Sequence, residues 1–451
     1  MSSIHADVGV RVAPRLGAPR LPYGWMFYMV FGGFLVWWVL GMAVFVWFIM
    51  GAAMTLSLLM RDKVEAPTGF GVWVLFLLWM LASSIMLGDP GRLVPFLFRA
   101  LQYGAATAVF LFIYNAPRSK MSDKAIVMAV VSLWVVVVLG GFLGVLMPNF
   151  EAPSPMELAL PSGLLANGWV KNMVHLQFAQ VQIFLGYDAP RPKFPFEYTN
   201  DWGGAIALLT PFAILGWTYL RTRTSRNLFR LVLVFAIIPV ILSMNRGLWV
   251  SLSVGILYAA MRMAQKGKGR PLGYLLFSVA IIGVLVLFSP LRGVIQARID
   301  NGHSDEGRET LYVEAANGVQ ESPLFGYGSP QDSEENSNLP SVGTHGQFWL
   351  VMYSHGIPGV IFFVSWYLVL LWKLRRVQTE LILWCQVVVL IAFVQLAFYG
   401  QLPAQLIITM IAAALGLRAV RDESRDSRER QRDALRSEAG LPGGGGAPVV
   451  P

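Results

Sequence analysis

Apolar residues fill the chain in blocks of about twenty, and short charged connections separate most of the blocks. A block of that length crosses the hydrocarbon core of a bilayer as a helix rising 1.5 Å per residue. In lipid, every backbone N–H and C=O must bond within its own segment, so each block is read as a helix. The pattern predicts membrane helices near 24–40, 42–60, 70–87, 97–115, 125–147, 202–220, 230–244, 248–263, 271–289, 356–372, 379–399 and 402–417, about twelve in all. The first pair share one long run, and the helices flanking Arg246 are short. The alternating ten-residue segments of a β-barrel are not seen. The first run continues for nearly forty residues, too long for the apolar core of a signal peptide.

Two polar stretches interrupt this pattern, 148–201 and about 290–355. Composition agrees with the membrane reading. Of 451 residues, 55% are hydrophobic and 14% charged, whereas soluble domains carry about a quarter charged. The single Cys385 lies in an apolar run and reads as a small packing residue, so no disulfide forms within the chain. Basic residues predict orientation. With the N-terminus in the cytoplasm, 26 of the 35 Lys and Arg fall inside, together with 11 of the 26 Asp and Glu. The net charge of +9 is therefore a topology signal and gives no reason to expect nucleic acid. The expected architecture is an all-α integral membrane protein whose two long extracytoplasmic loops carry short helices. A cytoplasmic tail (1–22) precedes the membrane domain (23–417), and a cytoplasmic tail (418–451) follows it, with alternating charges and then four glycines, read as partly helical near the membrane and then disordered.

Both polar stretches then face outward, and so do the residues suited to chemistry. Arg246, in Ser243-Met244-Asn245-Arg246-Gly247, sits between two apolar segments with almost no loop. A boundary arginine either snorkels to the interface or holds an anion, for which a planar, permanently charged guanidinium is suited. Arg191 and Lys193 precede a membrane helix in a proline-rich, extended segment. They read equally as headgroup contacts, and Asn200 reads as a helix cap. Ser304-Asp305-Glu306-Gly307-Arg308 looks like a helix start that ends at Ser322-Pro323. Arg308 is placed in its first turn, with a salt bridge to Glu309 or Glu314 as one reading. Gly326 and Gly328 permit a tight turn. Asp332, Glu334 and Glu335 read as a solvated loop. Among the five histidines no pair has metal-site spacing. His345 lies where the polar stretch re-enters the membrane, placed either for proton transfer near neutral pH or for a structural hydrogen bond.

Three segments in order resemble the O-antigen ligase and polymerase family of bacterial membrane glycosyltransferases. They are Arg191 with Asn200; Ser243-Met244-Asn245-Arg246-Gly247; and Gly307-Arg308, Ser322-Pro323-Leu324-Phe325-Gly326-Tyr327-Gly328, His345 and Gly356-Ile357-Pro358-Gly359. The chain has Gly346 where the family commonly has Asn after the His, and Thr199 where it commonly has Pro. The resemblance implies a glycan donor on a polyprenyl pyrophosphate, transferred on the outer side of the bacterial inner membrane. It implies that Arg191 and Arg246 grip the pyrophosphate with help from Arg308, and that His345 takes the proton of the acceptor hydroxyl. Asn200, Gly326 and Gly328 would support the site. The implied partners are the lipid-linked donor, membrane lipid and a glycan, lipid or protein acceptor, with no cofactor or metal required. Ligase and polymerase activities both fit, and a transporter or a non-enzymatic scaffold is the rival reading.

Overall fold

The computed structural model describes residues 21–183, 188–270, 273, 303–333, 341–376 and 379–438. The chain is mostly helical. In order come α1 (Trp25–Gly32), α2 (Phe34–Val39), α3 (Val46–Leu59), α4 (Phe70–Ala82), α5 (Leu93–Tyr114) and α6 (Asp123–Leu146). The 148–201 stretch holds β1 (Glu151–Ala152), α7 (Pro155–Ala159), α8 (Ser162–Leu165), α9 (Gly168–Val174), β2 (Leu176–Gln177), β3 (Ala179–Ile183) and β4 (Asp188–Pro192). Then follow α10 (Thr199–Tyr219), α11 (Arg223–Phe235), α12 (Ile237–Leu242) and α13 (Arg246–Gln265). The last four are α14 (His303–Glu321), α15 (Gln347–Leu374), α16 (Glu380–Gln395) and α17 (Ala404–Glu438).

Six helices among the described residues are long and apolar enough to cross a membrane, and three shorter apolar helices accompany them. The expected helix at 271–289 lies outside the described residues. The expected 24–40 helix is broken at Gly33, where the chain leaves helical geometry between α1 and α2. Sequence periodicity does not register a break that leaves the apolar run intact.

Helix starts follow local chemistry. The Ser122 hydroxyl caps α6 by accepting from Ala125 N at 3.2 Å, and the Thr379 hydroxyl caps α16 by accepting from Ile382 N at 3.4 Å. Burial sorts the spans: the Ala404–Asp433 window is 89% buried, against 11% for Arg223–Leu242. So α17 is the central post, packed on α5 and α16, while α11 and α12 lie at the periphery with their apolar side chains exposed, as lipid-facing residues are.

Two features extend the expectations. Residues 418–438 continue α17 as helix, so the helical part of the tail reaches Glu438. Arg418 explains part of this. It is fully buried, forms an ion pair with Asp123 at the start of α6, and donates to the carbonyls of Ile113 (3.3 Å), Ala116 (3.1 Å) and Met121 (3.4 Å). The 148–201 stretch contains strands beside its short helices: β1 pairs with β2, and β3 with β4, both antiparallel. These pairs are too short, and β4 too rich in proline, to show an alternating pattern in sequence.

Candidate functional site

The turn between α12 and α13 gathers the distant parts of the site. Ser243, Met244 and Asn245 reverse the chain, with Met244 in the left-handed region at φ 48°. Such a backbone costs a non-glycine residue about 1–3 kcal/mol and persists only where its surroundings hold it. Asn245 is one holder. Its side-chain oxygen caps α13 by accepting from Leu248 N and also accepts from the Tyr399 hydroxyl, while its Nδ2 donates to Thr199 O at 3.3 Å. The strand β4 supplies another. Arg191 is 7% exposed and donates from Nε to Ser243 O at 3.1 Å. Its Nη1 donates at 3.0 Å to Gln182 Oε1 on β3. Gln180 is the cross-strand partner of Arg191, so Gln182, two residues on, lies on the same face. Arg246, next in the turn, is the exposed first residue of α13. The structure thus brings Arg191 to within three residues of Arg246.

Tyr399, between α16 and α17, extends this junction. A Cβ on Gly247 would lie 2.7 Å from its ring and hydroxyl, and one on Gly203 would lie 2.3 Å from Asn245 Nδ2 and 3.3 Å from the Tyr399 hydroxyl. Glycine at both positions lets α10 and α13 close on the tyrosine. Burial pushes the phenol well above its ordinary range, and the nearby charges of Arg191 and Arg308 oppose that shift. Tyr399 therefore feels both Arg191 of the 148–201 stretch and Arg308 of the later polar stretch. Nothing in the sequence singled it out, because a tyrosine closing an apolar run is ordinary.

Arg308 lies in the second turn of α14 as described, since the helix extends back to His303. Among the described residues it forms no ion pair with Glu309 or Glu314; Glu314 Oε1 instead accepts from Ser333 at 2.6 Å. Its charge acts on His345. Burial chiefly, and Arg308 in addition, lower the His345 imidazole to about 4. The ring is therefore neutral at neutral pH. Thr344 Oγ1 donates to Ser341 O at 2.7 Å and lies 3.5 Å from His345 Nδ1, an arrangement that fits the Nδ1–H tautomer and leaves a lone pair on Nε2. The Tyr312 hydroxyl fixes the His345 carbonyl at 2.9 Å. Gly346 has φ 141°, and a Cβ there would lie 2.7 Å from Ala397 O, so the backbone leaves no room for the family's Asn.

Asn200 is in the first turn of α10 and caps nothing; Tyr198 holds the cap position. Gly326 and Gly328 belong to an interlock with the kink in α15. Tyr327 N donates to Tyr353 O at 3.0 Å, Gly328 N to Ser354 O at 2.8 Å and Ile357 N to Pro323 O at 2.8 Å. Gly356, at φ 68° and ψ −171°, breaks α15 where the sequence predicted the membrane helix to begin. The two glycine-rich motifs are thus one backbone clasp, which holds α14 against the first half of α15.

One polar group escaped sequence analysis. Glu197 and Asp201, one helical turn apart, line a small cavity with His175, Gln405, Trp38 and Trp47. Burial and the charge of Asp201 raise the Glu197 carboxyl far above the carboxylate range. Nearby Lys193 is lowered by burial to about 8 and donates to Asn172 (2.8 Å) and Gln177 (2.7 Å). Among the described residues, no group of three or more His, Cys, Asp or Glu is arranged to hold a metal ion.

Apolar helices of spanning length, with cationic turns gathered between their ends, define a polytopic membrane protein. Residues 231–364 match the family model described as O-antigen ligase, and this match supports membership of the chain in the O-antigen ligase family. The matched segment contains Arg246, Arg308, His345 and both halves of the clasp, while Arg191 precedes it. Glycosyl transfer of the ligase or polymerase kind is the general activity that the family implies. No curated protein matches the chain.

Proposed function

We propose that the protein transfers a glycan from a polyprenyl-pyrophosphate donor to an acceptor hydroxyl on the outer side of the bacterial inner membrane. The observation that carries this reading is the junction itself. Arg191 is bonded into the turn of Arg246, and Tyr399 links that turn electrostatically to the Arg308–His345 pair. Two guanidinium groups at one turn, with the charge of Arg308 reaching the tyrosine bonded to it, suit an anionic leaving group, because they oppose the charge that builds as the anomeric bond breaks. The acceptor oxygen attacks the anomeric carbon, polyprenyl pyrophosphate departs, and the acceptor proton passes to His345 Nε2. A neutral imidazole is available for this across the physiological range.

The low basicity of His345 comes from burial and from the charge of Arg308. A donor pyrophosphate entering beside Arg308 places negative charge near the imidazole and raises its affinity for a proton. Donor binding therefore strengthens the base. The acceptor is a glycan, lipid or protein hydroxyl, and the same residues serve a polymerase that extends a lipid-linked chain. Single substitutions His345→Ala and Arg246→Ala test the reading through consumption of lipid-linked glycan in membranes. Each is expected to lower turnover by about 10²-fold or more with expression intact. Unchanged turnover in both would sink the mechanism. Product length then separates a single transfer from a ladder.

A further inference from the structure

Arg99 is a charge that this chemistry does not use. It lies in α5, within a segment apolar enough to span the membrane, and on the same face as Arg92 two turns earlier. A guanidinium at membrane depth is costly, so its partner is the first question. Arg92 answers it with both terminal nitrogens as a structural clamp: Nη1 donates to Leu87 O at 2.8 Å, and Nη2 donates to Tyr327 O at 2.8 Å and to Ser329 O. Arg99 does not. Among the described residues only its Nη1 is bonded, to Ser329 Oγ at 3.1 Å and, at 3.4 Å, to Pro95 O of its own helix. Among the described residues no carboxylate pairs with it, and the titratable group that favours its charge is the Tyr103 phenol, neutral at physiological pH.

The surroundings share this excess of donors. Ser354 Oγ is buried without a partner, as is Arg92 Nε. The Arg99 charge also reaches His355. That ring meets Ser83 Oγ at 2.7 Å through Nδ1, and Ser83 Oγ itself donates to Met80 O at 2.6 Å, so the imidazole donates there and is not the missing counter-charge. A cluster with spare N–H and O–H groups and a fixed positive charge, in which no carboxylate among the described residues pairs with Arg99, suits a ligand with several acceptor oxygens and negative charge. This cluster is separate from the one that holds His345. Arg99 acts on His355 and Arg308 on His345, and the helix from Gln347 to His355 puts about 12 Å between the two ends.

We propose that Arg99 and Ser329 form a second anion subsite at the outer end of α5, which binds the phosphate of a lipid headgroup or of a phosphate-bearing substrate. Its chemistry does not depend on the catalytic reading above, and the test keeps the two apart. The full chain is placed in phosphatidylcholine nanodiscs, and its thermal stability is followed as inorganic pyrophosphate is added. With Arg191→Gln and Arg246→Gln both present, the grip assigned to the donor is gone and a residual stabilisation is expected to remain. Adding Arg99→Gln is expected to weaken that residual binding about tenfold or more, and Arg99→Lys to restore part of it. Ser329→Ala, a milder change, is expected to weaken it less and covers the case in which Arg99→Gln does not fold. Residual binding that is absent with Arg99 intact, or that is unaltered by both Arg99→Gln and Ser329→Ala, overturns the proposal. Repeating the titration with phosphatidylglycerol in the disc identifies the source. Loss of the residual pyrophosphate response there means that the headgroup occupies Arg99, and its persistence assigns the subsite to a substrate phosphate.

Discussion

The charge of Arg308 acts on His345, and this coupling makes the proposed base measurable. Burial and the guanidinium both disfavour the imidazolium, so the free enzyme is expected to lose kcat/KM only as pH falls towards about 4. Arg308→Gln removes one of the two causes. Its acid limb is expected to move upward, towards the ordinary histidine range, even if the rate itself drops. An acid limb at the same pH in both proteins would exclude the coupling. Stability carries the same sign. Between the unfolded value near 6.5 and about 4, the unfolded chain binds a proton at His345 that the native chain does not. This residue's contribution therefore falls as pH drops through that window. The charged residues of this site were legible in sequence, because arginines beside apolar blocks are conspicuous. Tyr399 and Asn245 were not, since their importance lies in contacts between α10, α13 and the start of α17.

Two elements depend on single contacts that can be broken cleanly. The clasp needs glycine at 356, where a Cβ would lie 2.4 Å from Leu324 O and the backbone occupies a region that side chains avoid. Gly356→Ala is expected to cost at least about 2–3 kcal/mol, seen as a lower melting temperature in detergent. Gly104→Ala, in α5 with open space around it, is the control and is expected to be neutral or mildly stabilising. Equal melting temperatures for the two variants would remove the steric account. At the other end of the bundle, Asp123→Ala leaves Arg418 buried and without its ion-pair partner. Losing one partner of a buried pair costs about 3–5 kcal/mol. The variant is expected to unfold in denaturant well before the parent, and Asp123→Ala with Arg418→Leu is expected to recover part of the loss. No recovery in the double variant would mean that the arginine's carbonyl contacts, rather than its charge, hold the helix. Sequence marked Gly326 and Gly328 as a turn and Arg418 as the start of a tail. Both readings stopped at the element, because the partners lie far away in the chain.

Across the whole molecule, α17 is enclosed while α11 and α12 stay at the edge. The chain's class and the approximate helix positions were readable in advance, because hydrophobic blocks must be helices in lipid whatever they pack against. Arg246, Arg308 and His345 were likewise visible as polar groups at the margins of such blocks. What the sequence did not contain was which margins meet. Arg191 reaches Ser243 across 52 residues, and the Tyr399 hydroxyl reaches Asn245 across 154. Such contacts follow from helix packing, glycine-permitted approaches and a short hairpin, none of which leaves a periodic trace. Local periodicity determined that this is a helical membrane protein with charged margins to its apolar blocks. Only tertiary structure decided which charges share a site, that the two glycine motifs form one clasp, and that Arg99 is set beside Ser329, with no carboxylate paired to it among the described residues.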